Sequence, residues 1–374
     1  MKKNKGLLVI VIVFNFFVLC TSCLQVKWGK GLYGAVILTD RPEISLENIM
    51  DGEYQQQLSE WYSENISIQE LCVRSYNELL FSMGVTNNSI IVGKNNYLFS
   101  TDYVEAYYKY VQLPNVEVTY PEYAEKISAI QEILEEEGKI FIYFISPSKA
   151  EIYPQYIPEQ YSFLEYTDRI TNHEREVEEF RINGVNLYDA QVDMLTVKEN
   201  IPSFYKQGIH WNFASCSYCM NSMFDKYLND YSMEIVIEET GMPSGAGEDL
   251  YLLANIWRKP YEDDYYTVNI SWDVMEKPNV YVLGTSFSDH IVEILRGTFS
   301  EEAFFDELVH YSYLNRGSRI NEHGVENIPL SLNLEETSIL EDIKNSDIII
   351  IENNASYIPE SFFIVADYLY ENLH

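Results

Sequence analysis

Positive charge is scarce in this sequence. Lys and Arg number 25 against 58 Asp and Glu, a formal net charge of −33 at pH 7, and a surface so negative repels nucleic acid. A nucleic-acid partner is therefore excluded. Unaided docking on anionic lipid is disfavoured too, so contact with a membrane calls for a covalent or transmembrane tether. Cysteine is also scarce: the 5 present do not form a disulfide framework, and Cys72 stands alone. Cys216 and Cys219 have Cys-x-x-Cys spacing inside an expected helix, but no second ligand pair completes a zinc site, so two helix-buried thiols are expected. Neither a metal nor a cofactor is called for.

Aromatic residues, by contrast, abound. With 47% hydrophobic residues, 31 Tyr, 18 Phe and 5 Trp, the chain is far too apolar for disorder, and most tyrosines are expected in the core rather than along a sugar-binding groove. Its 374 residues suit one large α/β domain with a small addition.

Only one hydrophobic run is long. Lys2, Lys3 and Lys5 precede Leu7 to Leu19, apolar except for Asn15, which is the pattern of an export signal. Counting on to Val26 gives about 20 weakly apolar residues, near the minimum for a membrane span. Residues 1–26 therefore read as a signal peptide or an uncleaved signal anchor with a cytoplasmic N-terminus. Cys23, after Thr21 and Ser22, also suits a lipoprotein site, although Cys20 stands where a leucine is usual. In either case the rest of the chain is extracytoplasmic and tethered.

Residues 27–80 read as a linker and a helical preface, with Leu58, Trp61, Tyr62, Ile66 and Leu71 at helical spacing. From 81 onward a single domain is expected. Ser89 to Phe99 is two apolar runs around Gly93-Lys94-Asn95-Asn96, a hairpin. Pro121 to Glu137 is an amphipathic helix closed by Gly138, and Lys139 to Ile145 a continuously apolar strand. Another helix over Asp168 to Arg181 and a short strand at Val185 to Tyr188 continue the alternation, which implies a mainly parallel central sheet. Ligands in such sheets sit beyond the carboxyl ends of the strands. Lys149 follows one such end, in Ser146-Pro147-Ser148-Lys149, where it is either an anion contact or a solvated loop residue.

The stretch from Val280 to His290 is the most suggestive. An apolar strand breaks at Gly284 and delivers Ser286 to a turn at a helix start, near backbone N–H groups of Gly284 and Thr285 that suit an oxyanion. Taken alone, it is more often the pattern of an ordinary helix cap. A second stretch, Gly208-Ile209-His210-Trp211-Asn212, puts His210 at a loop-to-helix junction, where it becomes a general base if the fold sets it opposite Ser286. Pro243 to Gly247 is a flexible loop able to cover that site. Asp347 to Ile351 is a further buried strand, after which Glu352, Asn353 and Asn354 emerge, either as strand caps or with an asparagine completing an oxyanion hole.

These pieces, in this order, resemble the AlgX and AlgJ family of polysaccharide O-acetyltransferases. The resemblance rests on Ile91 to Leu98, on Ser146-Pro147-Ser148-Lys149 followed by Tyr153-Pro154 and Pro158, on His210-Trp211-Asn212, and on Gly284-Thr285-Ser286-Phe287. It implies a three-layer SGNH-hydrolase-like α/β fold over residues 81–374. It further implies Ser286 as acetyl-accepting nucleophile, His210 as its base, a polysaccharide acceptor, and a membrane-bound O-acyltransferase as acetyl source. Two positions depart from the family pattern: Gly208 stands where an Asp is usual before His-Trp, and Thr285 replaces the Asp of Gly-Asp-Ser. The carboxylate that orients a catalytic histidine is thus missing from its expected place, with Asp289 and Glu352 as substitutes. An O-acetylesterase using the same Ser286 and His210, or a catalytically weak glycan-binding scaffold of an export complex, are the alternatives. Only 88 residues follow Ser286, enough to finish the sheet but not to add a carbohydrate-binding module, an arrangement that resembles AlgJ more than AlgX.

Overall fold

The computed structural model describes residues 2–24, 26–29, 31–34, 39–86, 89–109, 116–239, 247–259, 265–331 and 333–373. The chain divides into two units, residues 1–90 with 250–260 and residues 91–249 with 261–374.

The first unit is helical. Helix α1 (Lys2–Cys23) contains, in Gly6–Cys23, a stretch long and apolar enough to cross a membrane, a property that a signal sequence shares. Its end is tied down by Ser22, whose hydroxyl accepts the Ser67 N–H at 2.8 Å. Helices α2 (Leu46–Asp51), α3 (Glu53–Asn65) and α4 (Gln69–Ser82) follow. Arg74 and Asn77 of α4 donate to the carbonyls of Ile256 and Ala254, each at 2.9 Å, which holds the returning segment 250–259.

The second unit opens with the small hairpin of β1 (Ile90–Val92) and β2 (Leu98–Ser100). Asn95 and Asn96 take φ of 55° and 66° in its turn, a left-handed conformation that asparagine tolerates better than most residues. Next come α5 (Thr101–Tyr107), α6 (Val116–Glu136), β3 (Ile140–Ser146), α7 (Lys149–Ile152), α8 (Asn172–Ile182), β4 (Leu187–Asp189), α9 (Ala190–Val197) and α10 (Phe213–Tyr227). After β5 (Ser232–Glu239) comes α11 (Asp249–Ala254), of which only Asp249 falls in this unit, and then β6 (Tyr266–Asp273), β7 (Val280–Gly284), α12 (Ser288–Leu295), β8 (Leu308–Ser312), β9 (Arg316–Asn321) and β10 (Gly324–Ile328). The chain ends with α13 (Ile339–Lys344), β11 (Ile348–Asn354) and α14 (Glu360–Asn372).

Seven strands form the central sheet in the order β10-β9-β8-β7-β11-β3-β4. The five from β8 to β4 are parallel, and β9 and β10 add an antiparallel edge. Because strand side chains alternate, the sheet has two apolar faces. Ile142, Phe144, Val280, Val282, Ile348 and Ile350 pack on α9, α10 and α12. Phe141, Tyr143, Tyr281, Leu283, Ile349 and Ile351 pack on α6, α8, α13 and α14. The three-layer α/β fold with a mainly parallel sheet is therefore the one expected. Many of the tyrosines are core residues, with Tyr120, Tyr143, Tyr265, Tyr281 and Tyr311 among the largest fully buried side chains.

Some boundaries differ from the sequence reading. Helix α6 starts at Val116 with Pro121 inside it, where proline forfeits one intrahelical N–H near the helix start. Helix α8 starts at Asn172 rather than Asp168, because Thr171 and Glu174 make a capping box. Strand β11 runs on to Asn354, paired with Ser146 of β3, so Glu352, Asn353 and Asn354 lie in the ladder and not beyond it.

Alternation then sends Asn353 to one face and Glu352 and Asn354 to the other. On the α8 face the Asn353 amide donates to the buried carboxyl of Glu176 at 3.0 and 3.1 Å, and the Tyr143 hydroxyl donates to it at 2.8 Å. Burial pushes Glu176 up to about 8, against the pull of Tyr143, His173 and Asn353. A carboxyl whose folded pKa exceeds its unfolded value gives stability that is present below the unfolded pKa and lost as pH rises through the folded one. Glu176→Gln is therefore expected to gain on the wild type between about pH 5 and pH 9 in thermal unfolding, whereas a constant difference across that range would contradict the assignment.

Candidate active site

Ser286 stands in the short turn between β7 and α12, at the carboxyl end of the sheet. The turn is tight. Any Cβ on Gly284 would overlap the Cβ and Oγ of Ser288 and crowd the Glu352 carboxylate, so glycine is required there by close approach. Thr285 is buried, and its hydroxyl accepts the Phe287 N–H at 3.2 Å, while Ser288 Oγ donates to the Thr285 carbonyl at 2.6 Å. Between these pinned neighbours Ser286 is only half-buried.

His210 comes from the loop before α10. Asn212 caps that helix by accepting the Ser215 N–H at 2.8 Å, and Trp211 is fully buried with its indole N–H on the Phe287 carbonyl at 3.3 Å. Upstream, Lys149 is buried and donates to the carbonyls of Tyr205, Lys206 and Gly208 at 2.8, 2.9 and 2.7 Å. Strand β2 grips the same loop through the Leu98 N–H on the Lys206 carbonyl at 2.7 Å. Charge-assisted bonds of this kind contribute about 1.5–3 kcal/mol each, so Lys149 fixes the approach to His210.

The result is a continuous relay. His210 Nε2 lies 2.8 Å from Ser286 Oγ, and His210 Nδ1 lies 2.7 Å from Asp249 Oδ2. The other Asp249 oxygen accepts the Ile209 N–H at 2.6 Å, which aligns backbone and ring together. An ionised carboxylate only accepts, so the proton resides on Nδ1 and the Nε2 lone pair faces the serine hydroxyl. The imidazole of His290 stacks 6.0 Å from that of His210. Burial, reinforced by His210, pushes His290 down to about 3, so it adds no competing charge near neutral pH.

The structure thus brings Ser286 and His210 together and redirects several other candidates. The carboxylate on His210 is Asp249, neither Asp289 nor Glu352. Asp289 pairs with Arg316 at 2.5 Å and lies 3.9 Å from His310. Glu352, wholly buried, accepts the Thr285 N–H at 2.7 Å together with the hydroxyls of Thr285 and Ser146. That engagement removes Thr285 N–H from an oxyanion role. Gly284 is a ladder residue opposite Ser312, its carbonyl taking the Tyr313 N–H at 2.9 Å. Asn353 faces the opposite side of the sheet, and Asn354 donates to the Pro147 carbonyl at 3.1 Å, so neither presents a spare amide. Lys149 and Trp211 hold the loop and the core rather than lining a substrate surface.

Cys216 and Cys219 are free and buried, with burial raising both thiols. Among the described residues no group of three or more His, Cys, Asp or Glu side chains could hold a metal. Of the covering loop at 243–247 only Gly247 lies within the described residues, and it rests against the Tyr205 ring.

Residues 90–222 match the family model of the SGNH hydrolase-like domain of acetyltransferase AlgX, a little over a third of the chain. The resemblance read from the motifs is borne out over that stretch, which includes Lys149, His210 and Trp211 and ends before Ser286. A comparison with curated proteins gives no match. Among solved structures the chain is similar to the O-acetyltransferase domain of Pseudomonas putida AlgJ, at 14% identity over 76% of this chain and 99% of that one, with a TM-score of 0.47. It is similar also to Pseudomonas aeruginosa AlgX at 13% identity over 76% and 66% of the two chains, TM-score 0.42. For Bacillus cereus PatB1 the identity is 11% over 74% and 99%, TM-score 0.40.

Asp249 escaped the sequence reading because no local spacing ties it to His210, 39 residues away. Replacing Asp249 with Asn, which can hold the imidazole in the wrong tautomer, is expected to lower turnover of a chromogenic acetyl ester by about ten-thousandfold. Turnover within threefold of wild type would remove Asp249 from the relay.

Proposed function

We propose that this chain is an extracytoplasmic O-acetyltransferase, tethered through its N-terminal segment, that transfers acetyl groups through Ser286 to hydroxyls of a cell-surface or exported polysaccharide. The observation that carries the reading is the unbroken pair of hydrogen bonds from Asp249 through His210 to Ser286, at 2.7 and 2.8 Å. The match of residues 90–222 to an acetyltransferase domain supports the choice of acetyl transfer, and the apolar α1 is compatible with a tether. The proposed catalytic region lies within residues 81–374, and Ser286, His210 and Asp249 all fall in the second unit.

In the first half-reaction the Ser286 oxygen attacks the acetyl carbonyl while its proton moves to His210 Nε2, and the resulting imidazolium is stabilised by Asp249. Collapse breaks the bond to the donor's leaving group, which takes that proton, and leaves acetyl-Ser286. In the second half the same nitrogen accepts a proton from a sugar hydroxyl, whose oxygen takes the acetyl group, and Ser286 recovers the proton. The proposed acetyl source is a membrane-bound O-acyltransferase. The scaffold alternative drew its support from the apparent loss of the orienting carboxylate, and Asp249 on His210 removes that support.

The experiment is acetylation of the full-length chain in detergent with an activated acetyl ester, followed by intact mass and peptide mapping. One acetyl group on Ser286, lost in both Ser286→Ala and His210→Ala, is the expected result, with glycan acetylation appearing when acceptor polysaccharides are added. Adduct formation with turnover to water that added glycans never divert would identify an esterase, and a folded wild type that acquires no adduct would defeat the catalytic reading.

A further inference from the structure

The wholly buried Glu352 does not serve the relay directly, yet it is bound to the turn that carries Ser286. It sits near the carboxyl end of β11, the strand between β7 and β3. From the β7 side it accepts the Thr285 N–H at 2.7 Å and the Thr285 hydroxyl at 2.9 Å; from the β3 side it accepts the Ser146 hydroxyl. Three neighbouring strand ends converge on one carboxylate. The Thr285 hydroxyl that donates to it also accepts the Phe287 N–H at 3.2 Å, so the residues on both sides of Ser286 are set by the same group. Gly284 completes the arrangement, since a side chain there would displace this carboxylate and Ser288.

We infer that Glu352 is a positioning residue for Ser286, clamping the nucleophile turn to the ends of β11 and β3 through its ionised carboxylate. The inference rests on Ser286 being the nucleophile. Its physical ground is an acceptor-only group surrounded by donors. Protonation turns one of the two oxygens into a donor, and the Thr285 N–H and two hydroxyls must then rearrange around a single full acceptor.

Among the described residues no ion pair reaches Glu352. The titratable groups acting on it or acted on by it are Asp289 of α12, Tyr103 of α5, Cys216 of α10 and Tyr357 beyond β11. Burial, with Asp289 adding to it, outweighs the donors and pushes the carboxyl up to about 7. Its ionised form is therefore held at a cost in stability above that pH. A buried acid whose ionised form is disfavoured, kept beside a nucleophile, fits a site that exchanges stability for geometry.

The test reads the nucleophile itself. Phenylmethanesulfonyl fluoride reacts with an activated serine as Ser286 Oγ bonds to sulfur, fluoride leaves and the hydroxyl proton passes to His210 Nε2. The rate constant of this labelling is measured on the full-length chain in detergent from about pH 5.5 to 8.5, for wild type, Glu352→Gln and Glu352→Leu, with thermal unfolding alongside. The Leu variant is expected to label about a hundredfold more slowly. The ratio of wild-type to Gln rates is expected to rise from about one at the acid end to about tenfold at the alkaline end, and His210 cancels from this ratio. A folded Leu variant labelled at the wild-type rate overturns the inference. If that variant does not fold, a wild-type to Gln ratio that stays constant with pH overturns it. Wild type that is never labelled at Ser286 defeats the nucleophile assignment and this inference with it, whereas equal labelling of all three chains defeats this inference alone.

Discussion

An imidazole can take a proton from a serine only through a nitrogen that carries none, so the relay depends on where the single ring proton of neutral His210 resides. The Asp249 carboxylate at Nδ1 decides this. It accepts and cannot donate, holds the proton on its own side, and leaves Nε2 open toward Ser286. Everything else near the site limits how far this geometry can drift. Lys149 gathers three carbonyls of the loop before His210, Asn212 and Trp211 fix the helix start behind it, and the Ile209 N–H ties backbone to the same Asp249.

The other half of the site is organised by the sheet. Parallel strands bring their carboxyl ends to one edge, and β7, β11 and β3 are neighbours there. The polar residues at these ends face two ways because strand side chains alternate. Asn353 joins Glu176 and Tyr143 under α8, while Glu352 joins Thr285 and Ser146 beside the turn that carries Ser286. Both carboxyls are buried and both are raised by burial. Each face of the sheet therefore abuts one buried acid whose ionised form opposes stability, Glu176 of α8 on one face and Glu352 of β11 on the other, and of the two it is Glu352 that adjoins Ser286.

Much of this was legible in the sequence. Continuous apolar runs at Ile140 to Ile145 and Ile348 to Ile351 marked strands buried on both faces, and the alternation with amphipathic helices implied the parallel sheet. Gly284 to Ser286 and His210 to Asn212 marked the two loops that meet. The orienting carboxylate was not legible, since a triad is defined by spatial geometry and its members occur in unrelated chain orders. Glu352 reads from the sequence as an acid at a strand end, but its partner depends on the face it occupies, which follows from register and not from spacing. From spacing Lys149 reads as a solvated loop residue sooner than as a substrate contact, and burial beneath three carbonyls fits neither.

The most direct measurement is the protonation of the two ring nitrogens of His210, by nitrogen-15 NMR of the selectively labelled full-length chain at mildly alkaline pH. The expected result is a protonated Nδ1 and an unprotonated Nε2 in the wild type, with that preference lost in Asp249→Asn. A wild-type His210 that carries its proton on Nε2, or whose tautomer is indifferent to Asp249, would contradict the relay at its centre.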